Sequence, residues 1–383
     1  MKRKLASLVA AALAIAMPAT MAVNTLPTAT AAPVAAKEKA ADAKPAFVEI
    51  QPADKAAQDQ YFAKKLNENK SFKWMETAFK KYAAGYNVAI ARAKSPAMND
   101  LEIPMFIMGP KGSKVGETEG LPTLYLLNGA DGGQGRANWV MQSDIVEHYG
   151  ENLKANIVIP MSGAFSYYTD WVSKPNEQAD YIPKWETFLT KELPQALEPM
   201  LKANQNRAIA GMSMSATSSL NLAAHNPGFY DAVGSFSGCA ATTSGLAPQF
   251  IDVTLNRGGT SMKQMWGGMN TKTARYNDAL LNANKLKDQK GMYVSNSTGL
   301  AGPHDVLGSD RVKNNVFDAA TVTVEGGIIE AATNACTHDF RAKLRSLGNK
   351  DAVFKMRPSG THQWGYWEDD LRGFLPVLQK NLK

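Results

Sequence analysis

The stretch Ala208-Ile209-Ala210-Gly211-Met212-Ser213-Met214-Ser215 sets how this chain of 383 residues is read. A short apolar run enters Gly-x-Ser-x-small, and a helix-forming segment, 216–225, follows at once. That layout is a nucleophile elbow, a strand-to-helix turn tight enough to push one serine hydroxyl out above a sheet. The positions two before and two after the serine must be small. Gly211 and Ser215 meet that demand, the second with a serine where glycine is usual. Ser213 is the expected nucleophile of an acyl transfer.

A serine hydroxyl needs a base within hydrogen-bond reach. The chain has five histidines: His148, His225, His304, His338 and His362. Behind such an elbow the chain order is serine, acid, histidine, which excludes His148. His225 ends the helix that starts at the elbow and is expected to point away from the hydroxyl. His362 is favoured over His304 and His338. It lies in Ser359-Gly360-Thr361-His362-Gln363-Trp364, a loop between a strand-like run, 352–356, and a C-terminal helix, 364–382. Loops at the carboxyl ends of strands are where open α/β sheets gather their sites.

Beyond the elbow, strand signals fall at 87–90, 103–108, 123–127, 156–159, 207–210, 231–236, 292–295 and 352–354, and helical patterns at 184–201, 216–225 and 327–347. Alternating strands and helices predict an α/β fold of the α/β-hydrolase type, a mostly parallel central sheet with helices on both faces. Residues 238–290, rich in Gly, Met, Asn and Thr, read as an insertion over the active site, a lid or acyl-chain cover.

The amino terminus reads as a secretory signal over 1–32. Lys2, Arg3 and Lys4 precede an apolar core, 5–17, and Ala29-Thr30-Ala31 is the best cleavage site. The core is too short to span a bilayer, and no later run approaches the ~20 residues a spanning helix needs. A secreted or envelope-associated protein is expected. Losing the three signal charges takes the formal charge from +7 to about +4. No run of Lys and Arg interleaved with aromatics appears, so nucleic acid is not an expected partner; weak attraction to an anionic envelope is as far as charge goes. Residues 33–84 read as a leader with an added helical segment, and 85–383 as the catalytic domain. Two cysteines in an exported chain predict one disulfide, Cys239 to Cys336, anchoring the segment that carries the acid.

Residues 85–383 resemble the secreted mycolyltransferases of mycobacteria and corynebacteria, the antigen 85-like acyltransferases. The likeness rests on Leu124-Tyr125-Leu126-Leu127-Asn128-Gly129, Ser166-Tyr167-Tyr168-Thr169-Asp170-Trp171, Lys184-Trp185-Glu186-Thr187-Phe188-Leu189-Thr190, the elbow, Met265-Trp266-Gly267, and Gly360-Thr361-His362-Gln363-Trp364 with Tyr366-Trp367, all in order. From the residues alone, the usual place for the acid, after the strand at 292–295, offers Asp305 and Asp310. The resemblance implies Glu330 instead, with Asp305 as the fallback. It also implies an oxyanion hole formed by the backbone N–H groups of Ala130 and Met214.

The chemistry so implied is a two-step transfer of a mycoloyl group from a mycolate glycolipid, trehalose monomycolate, through Ser213 to a hydroxyl acceptor, with no metal or cofactor. Asn128, Asp131, Trp139 and Trp364 are the candidate sugar-binding residues. The family's trehalose-contacting Asp and Arg align with Asn128 and Asp131, and that charge reversal brings cell-wall arabinan and protein serines forward as acceptors beside trehalose monomycolate. A secreted carboxylesterase of the same fold, and a non-catalytic envelope-binding protein, are the alternatives.

Overall fold

The run Thr123-Leu124-Tyr125-Leu126-Leu127 shows how the fold is built, because every residue in it is buried. Leu124 and Leu126 join one apolar cluster, Tyr125 and Leu127 another. Side chains alternate across a strand, so a continuous apolar run is a strand covered on both faces. Each buried leucine contributes about 2 kcal/mol on the usual area scale.

In the computed structural model, residues 43–51, 57, 58, 60, 73–312 and 315–383 are described. The signal expected at 1–32 lies outside them. Nine strands form one sheet: β1 (Phe47–Ile50), β2 (Val88–Ser95), β3 (Leu101–Met108), β4 (Thr123–Leu127), β5 (Asn156–Pro160), β6 (Arg207–Met212), β7 (Ala232–Phe236), β8 (Gly291–Asn296) and β9 (Val353–Met356). Their order is β1-β2-β3-β5-β4-β6-β7-β8-β9. Pairing is antiparallel from β1 to β5 and parallel from β5 through β9. Six helices matter here: α1 (Lys73–Tyr82), α2 (Leu193–Met200), α3 (Met214–His225), α4 (Ala247–Arg257), α5 (Gly327–Ser346) and α6 (Trp364–Asn381). One face of the sheet packs on α2, α3, α4 and α5 through Leu193, Leu220, Ile251 and Phe340. The other packs on α1 and α6 through Trp74, Phe79, Leu371 and Phe374. This is the α/β-hydrolase architecture, a mostly parallel sheet between two helical layers.

All eight expected strands form. The ninth, β1, lies in the segment read from the sequence as leader and helical extension. Phe47-Val48-Glu49-Ile50 follows an Ala- and Lys-rich stretch, yet it pairs along β2, and Val48 and Ile50 pack on the core. Helix α1 matches the expected helical part of that segment. The helical pattern at 184–201 resolves into two α-helical stretches around a π-helical turn, Phe188–Glu192, in which Leu193 N–H reaches Phe188 O. Pro194 supplies no N–H of its own to continue the regular ladder there. The insertion at 238–290 folds as short helices, of which α4 reaches the site. Among the described residues no helix is long and apolar enough to cross a membrane.

Candidate active site

The elbow is built as its sequence requires. Strand β6 ends at Met212, Ser213 takes φ 58° and ψ −123°, and α3 begins at Met214. A side chain at Gly211 would meet the Ser215 hydroxyl at 2.4 Å and its carbonyl oxygen at 2.7 Å, so only glycine fits. Ser215, the departure from the usual pattern, is fully buried. Its hydroxyl accepts from Met212 N–H at 3.0 Å and lies 3.1 Å from the carbonyl oxygens of Leu127 and Met212. The extra oxygen thus ties the elbow to the end of β4.

Three side chains far apart in sequence meet above the sheet. His362 Nε2 lies 2.7 Å from Ser213 Oγ, and Nδ1 lies 2.8 Å from Glu330 Oε2. An ionised carboxylate only accepts, so the proton sits on Nδ1 and the Nε2 lone pair faces the serine. Glu330 is wholly buried on α5. Its other oxygen accepts from Ser237 Oγ at 2.8 Å and from Ser297 N–H at 2.7 Å. Three donors therefore offset the cost of burying this carboxylate. His362 is further held by its own N–H, which donates to Gly326 O at 3.1 Å. The ring of Trp367 stands edge-on to the imidazole at 5.1 Å.

Ala130, Met214 and Ser213 line one cleft of about 170 Å³. Met214 is the first residue of α3, where backbone N–H groups have no partner within the helix. Among the described residues neither the Ala130 nor the Met214 N–H donates a hydrogen bond, while Ala130 O is committed to Phe165 N–H at 2.7 Å. The remaining walls are largely apolar, with Phe250, Ile251 and Val253 on α4 and Ile329 and Ala332 on α5. The Cys239–Cys336 disulfide forms as expected and also lines the cleft.

The four sugar-binding candidates separate. Asn128 and Trp139 are fully buried. Asn128 Nδ2 donates to Pro160 O at 3.0 Å and its Oδ1 accepts Trp139 N–H at 3.3 Å; Trp139 Nε1 donates to Leu127 O at 2.8 Å. In this structure both side chains are enclosed, with these polar atoms bonded within the protein. They brace the loop that carries Ala130, because that loop leaves a sheet buried on both faces. Asp131 is half-buried and accepts Gly133 N–H at 3.1 Å. Burial pushes its carboxyl up, and the charge of Arg257 pulls against that. Trp364 is half-buried, edge-on to Trp139 and Trp367.

Of the other histidines, His225 points away as expected, its ring between Glu186 Oε2 and Tyr276 O. His304 pairs with Asp369 at 2.9 Å. Asp305 touches no imidazole nitrogen of His362 but bonds both of its chain neighbours. Reading the sequence alone missed Ser237, Ser297 and Arg257. The two serines each follow the last residue of adjacent parallel strands, β7 and β8, and that placement was the available signal. Arg257 ends α4 and lines the cleft, a position that nothing in its local sequence marks.

A protein family described as putative esterase matches residues 95–378. The diacylglycerol acyltransferase/mycolyltransferase Ag85B of Mycobacterium leprae (strain TN) is 30% identical over 269 residues, 69% of this chain and 77% of its own. Ag85A of Mycobacterium ulcerans is 30% identical over 298 residues, covering 74% and 81%. Among solved structures, Mycobacterium tuberculosis MPT51 (FbpC1) superposes with a TM-score of 0.60 at 22% identity, over 76% of this chain and 96% of that one. An S-formylglutathione hydrolase from Agrobacterium tumefaciens gives 0.54 at 13% identity, over 77% and 95%. These two structural likenesses concern the fold.

Proposed function

Since the chain belongs to the esterase family and, within it, to the antigen 85-like mycolyltransferases, we propose that it is a serine acyltransferase that moves mycoloyl groups from a mycolate glycolipid to a hydroxyl acceptor. The observation that carries this reading is the unbroken hydrogen-bonded chain Glu330–His362–Ser213 opening into an apolar cleft.

In the first step His362 Nε2 takes the proton from Ser213 Oγ as that oxygen attacks the ester carbonyl of the donor, trehalose monomycolate. Charge gathers on the carbonyl oxygen, where the N–H groups of Ala130 and Met214 stabilise it. The carbon–oxygen bond to the sugar then breaks, His362 returns the proton to the leaving oxygen, and a mycoloyl-Ser213 ester remains. In the second step an acceptor hydroxyl gives its proton to His362 and attacks the acyl carbon; the bond from that carbon to Ser213 Oγ then breaks, and His362 returns the proton to Oγ. Glu330 holds the Nδ1–H tautomer and stabilises the imidazolium in both steps. The apolar walls from α4 and α5 suit an alkyl chain. Asp131, Arg257 and Trp364 are left to face the polar head of donor or acceptor, with trehalose monomycolate, arabinan and protein serine as the acceptor classes. The disulfide suits an oxidising compartment such as the cell envelope.

Incubation with trehalose monomycolate followed by mass spectrometry tests the scheme. A mycoloyl adduct on Ser213, absent from Ser213→Ala and discharged faster by a sugar than by buffer, is the expected result. An adduct that decays at one rate whatever hydroxyl is supplied would make the protein a carboxylesterase of this fold. No adduct from either the glycolipid or a serine-directed phosphonate would overturn catalysis at this site.

A further inference from the structure

Asp305 lies in the segment after β8, the usual place for a hydrolase acid, yet the residue hydrogen-bonded to the histidine is Glu330. Its carboxylate is nonetheless 2% exposed, and among the described residues no lysine or arginine pairs with it. What offsets its burial is four donors. Oδ1 accepts from Thr361 Oγ1 at 2.5 Å and Gln363 Nε2 at 2.6 Å; Oδ2 accepts from Tyr366 Oη at 2.6 Å and Gly302 N–H at 2.7 Å. Bonds to an ionised acceptor are about twice as strong as neutral ones. Three of the four donors come from the segment 361–366 that carries His362.

Thr361 and Gln363 are the residues on either side of His362, and Gln363 N–H donates to Thr361 O at 3.0 Å, so the backbone makes a tight three-residue turn centred on His362. Fixing the side chains of 361 and 363 on one carboxylate oxygen therefore holds that turn, and the side chain at its centre reaches Ser213 and Glu330. The loop is closed at its start by Gly360, whose φ of 132° only glycine adopts readily, with Gly360 N–H on Leu300 O at 2.6 Å. Gln363 Nε2 also reaches His304 O at 2.7 Å, so the segment 300–305 grips the loop along its length.

We propose that Asp305 is a positioning residue for catalysis. It sets the direction and height of the His362 imidazole by bracketing that residue, and it does so without touching substrate or the reacting atoms. The inference rests on the reading of His362 as the base given above. An amide cannot replace the carboxylate, because its nitrogen accepts nothing. Whichever way the amide of an Asp305→Asn variant turned, two of the four donors would lose their partner.

The test compares Asp305→Asn, His362→Ala and the double variant with the wild-type enzyme, reading Ser213 phosphonylation by a fluorophosphonate and hydrolysis of a p-nitrophenyl ester, with melting temperature beside them. Asp305→Asn is expected to slow phosphonylation and kcat at least tenfold while KM stays within about twofold. In the His362→Ala background the same change is expected to cost less than twofold, since residues that act as a unit are not additive. Equal slowing in both backgrounds, or no slowing in either, overturns the proposal. Should Asp305→Asn not fold, Thr361→Val removes one of the bracketing bonds alone. It is expected to slow phosphonylation several-fold with the melting temperature retained, and an unchanged rate overturns the proposal equally. A wild-type enzyme that is not labelled at all sinks the reading of the triad instead, so the two failures are told apart.

Discussion

Ser213 holds a left-handed backbone, φ 58°, that costs a non-glycine residue on the order of 1 kcal/mol or more. Ser237, at φ 55°, shares it at the end of the neighbouring strand β7. Both bends turn side chains up from the sheet toward Glu330 and His362, and Ser237 spends its hydroxyl on the Glu330 carboxylate. That carboxylate meets three donors, so Glu330→Gln must turn an NH2 group toward at least one of them or misplace the imidazole. The expected outcome is a folded protein whose Ser213 is phosphonylated about ten-thousandfold more slowly, as with other triads that lose their acid. Labelling within tenfold of the wild-type rate would remove Glu330 from the mechanism.

Helix α5 is the element on which the site depends most. Glu330 is in its first turn, Cys336 lies less than two turns further along, and the disulfide ties it to Cys239, just past β7. The bridge spans 97 residues of sequence, a loop for which the chain-entropy account gives up to about 4–5 kcal/mol. Cys239→Ser with Cys336→Ser is expected to lower the unfolding free energy in urea by a comparable amount and to slow Ser213 labelling, because α5 then has one anchor fewer beside the cleft. If denaturation and labelling both match the unmodified protein, the bridge anchors nothing that the chemistry uses. Helix α4 forms the opposite wall. It belongs to the insertion expected from composition, though composition did not indicate that it would supply Arg257 to the cleft.

Across the whole molecule, a largely buried ion pair ties the β9 edge of the sheet to α6. Arg357, just beyond β9, contacts Asp370 on α6, and Tyr293 Oη on β8 donates to the same carboxylate at 3.1 Å. Burial pushes the Asp370 carboxyl up to about 6, and the Arg357 guanidinium only partly opposes it. The folded chain therefore keeps a proton here that the unfolded chain has released above about pH 4. Folding stability from this group is greatest below pH 4 and falls as pH rises toward 6, by on the order of 3 kcal/mol. Urea denaturation between pH 4 and 6.5 is expected to show that downward component in the wild type and not in Asp370→Asn. A pH dependence identical in the two proteins would mean that Asp370 is already ionised throughout the range.

The tight turn at Ser213, the loop that brings His362 beside it, the disulfide and eight of the nine strands are legible in the chain before it folds, because each is written in a local pattern: small residues around a serine, a strand-ending loop, two cysteines, runs of buried apolar residues. Glu330 needed the family resemblance, since a glutamate in a helix looks like any solvated one until β7 and β8 bring Ser237 and Ser297 onto it. Folding in three dimensions was needed to turn Asn128 and Trp139 inward, to set Asp305 on the residues beside His362, and to close the sheet with 47–50 as an edge strand. Those outcomes depend on hydrogen-bond partners about ten to sixty residues away, and a polar side chain does not announce in its own neighbourhood whether water or a distant carbonyl will satisfy it.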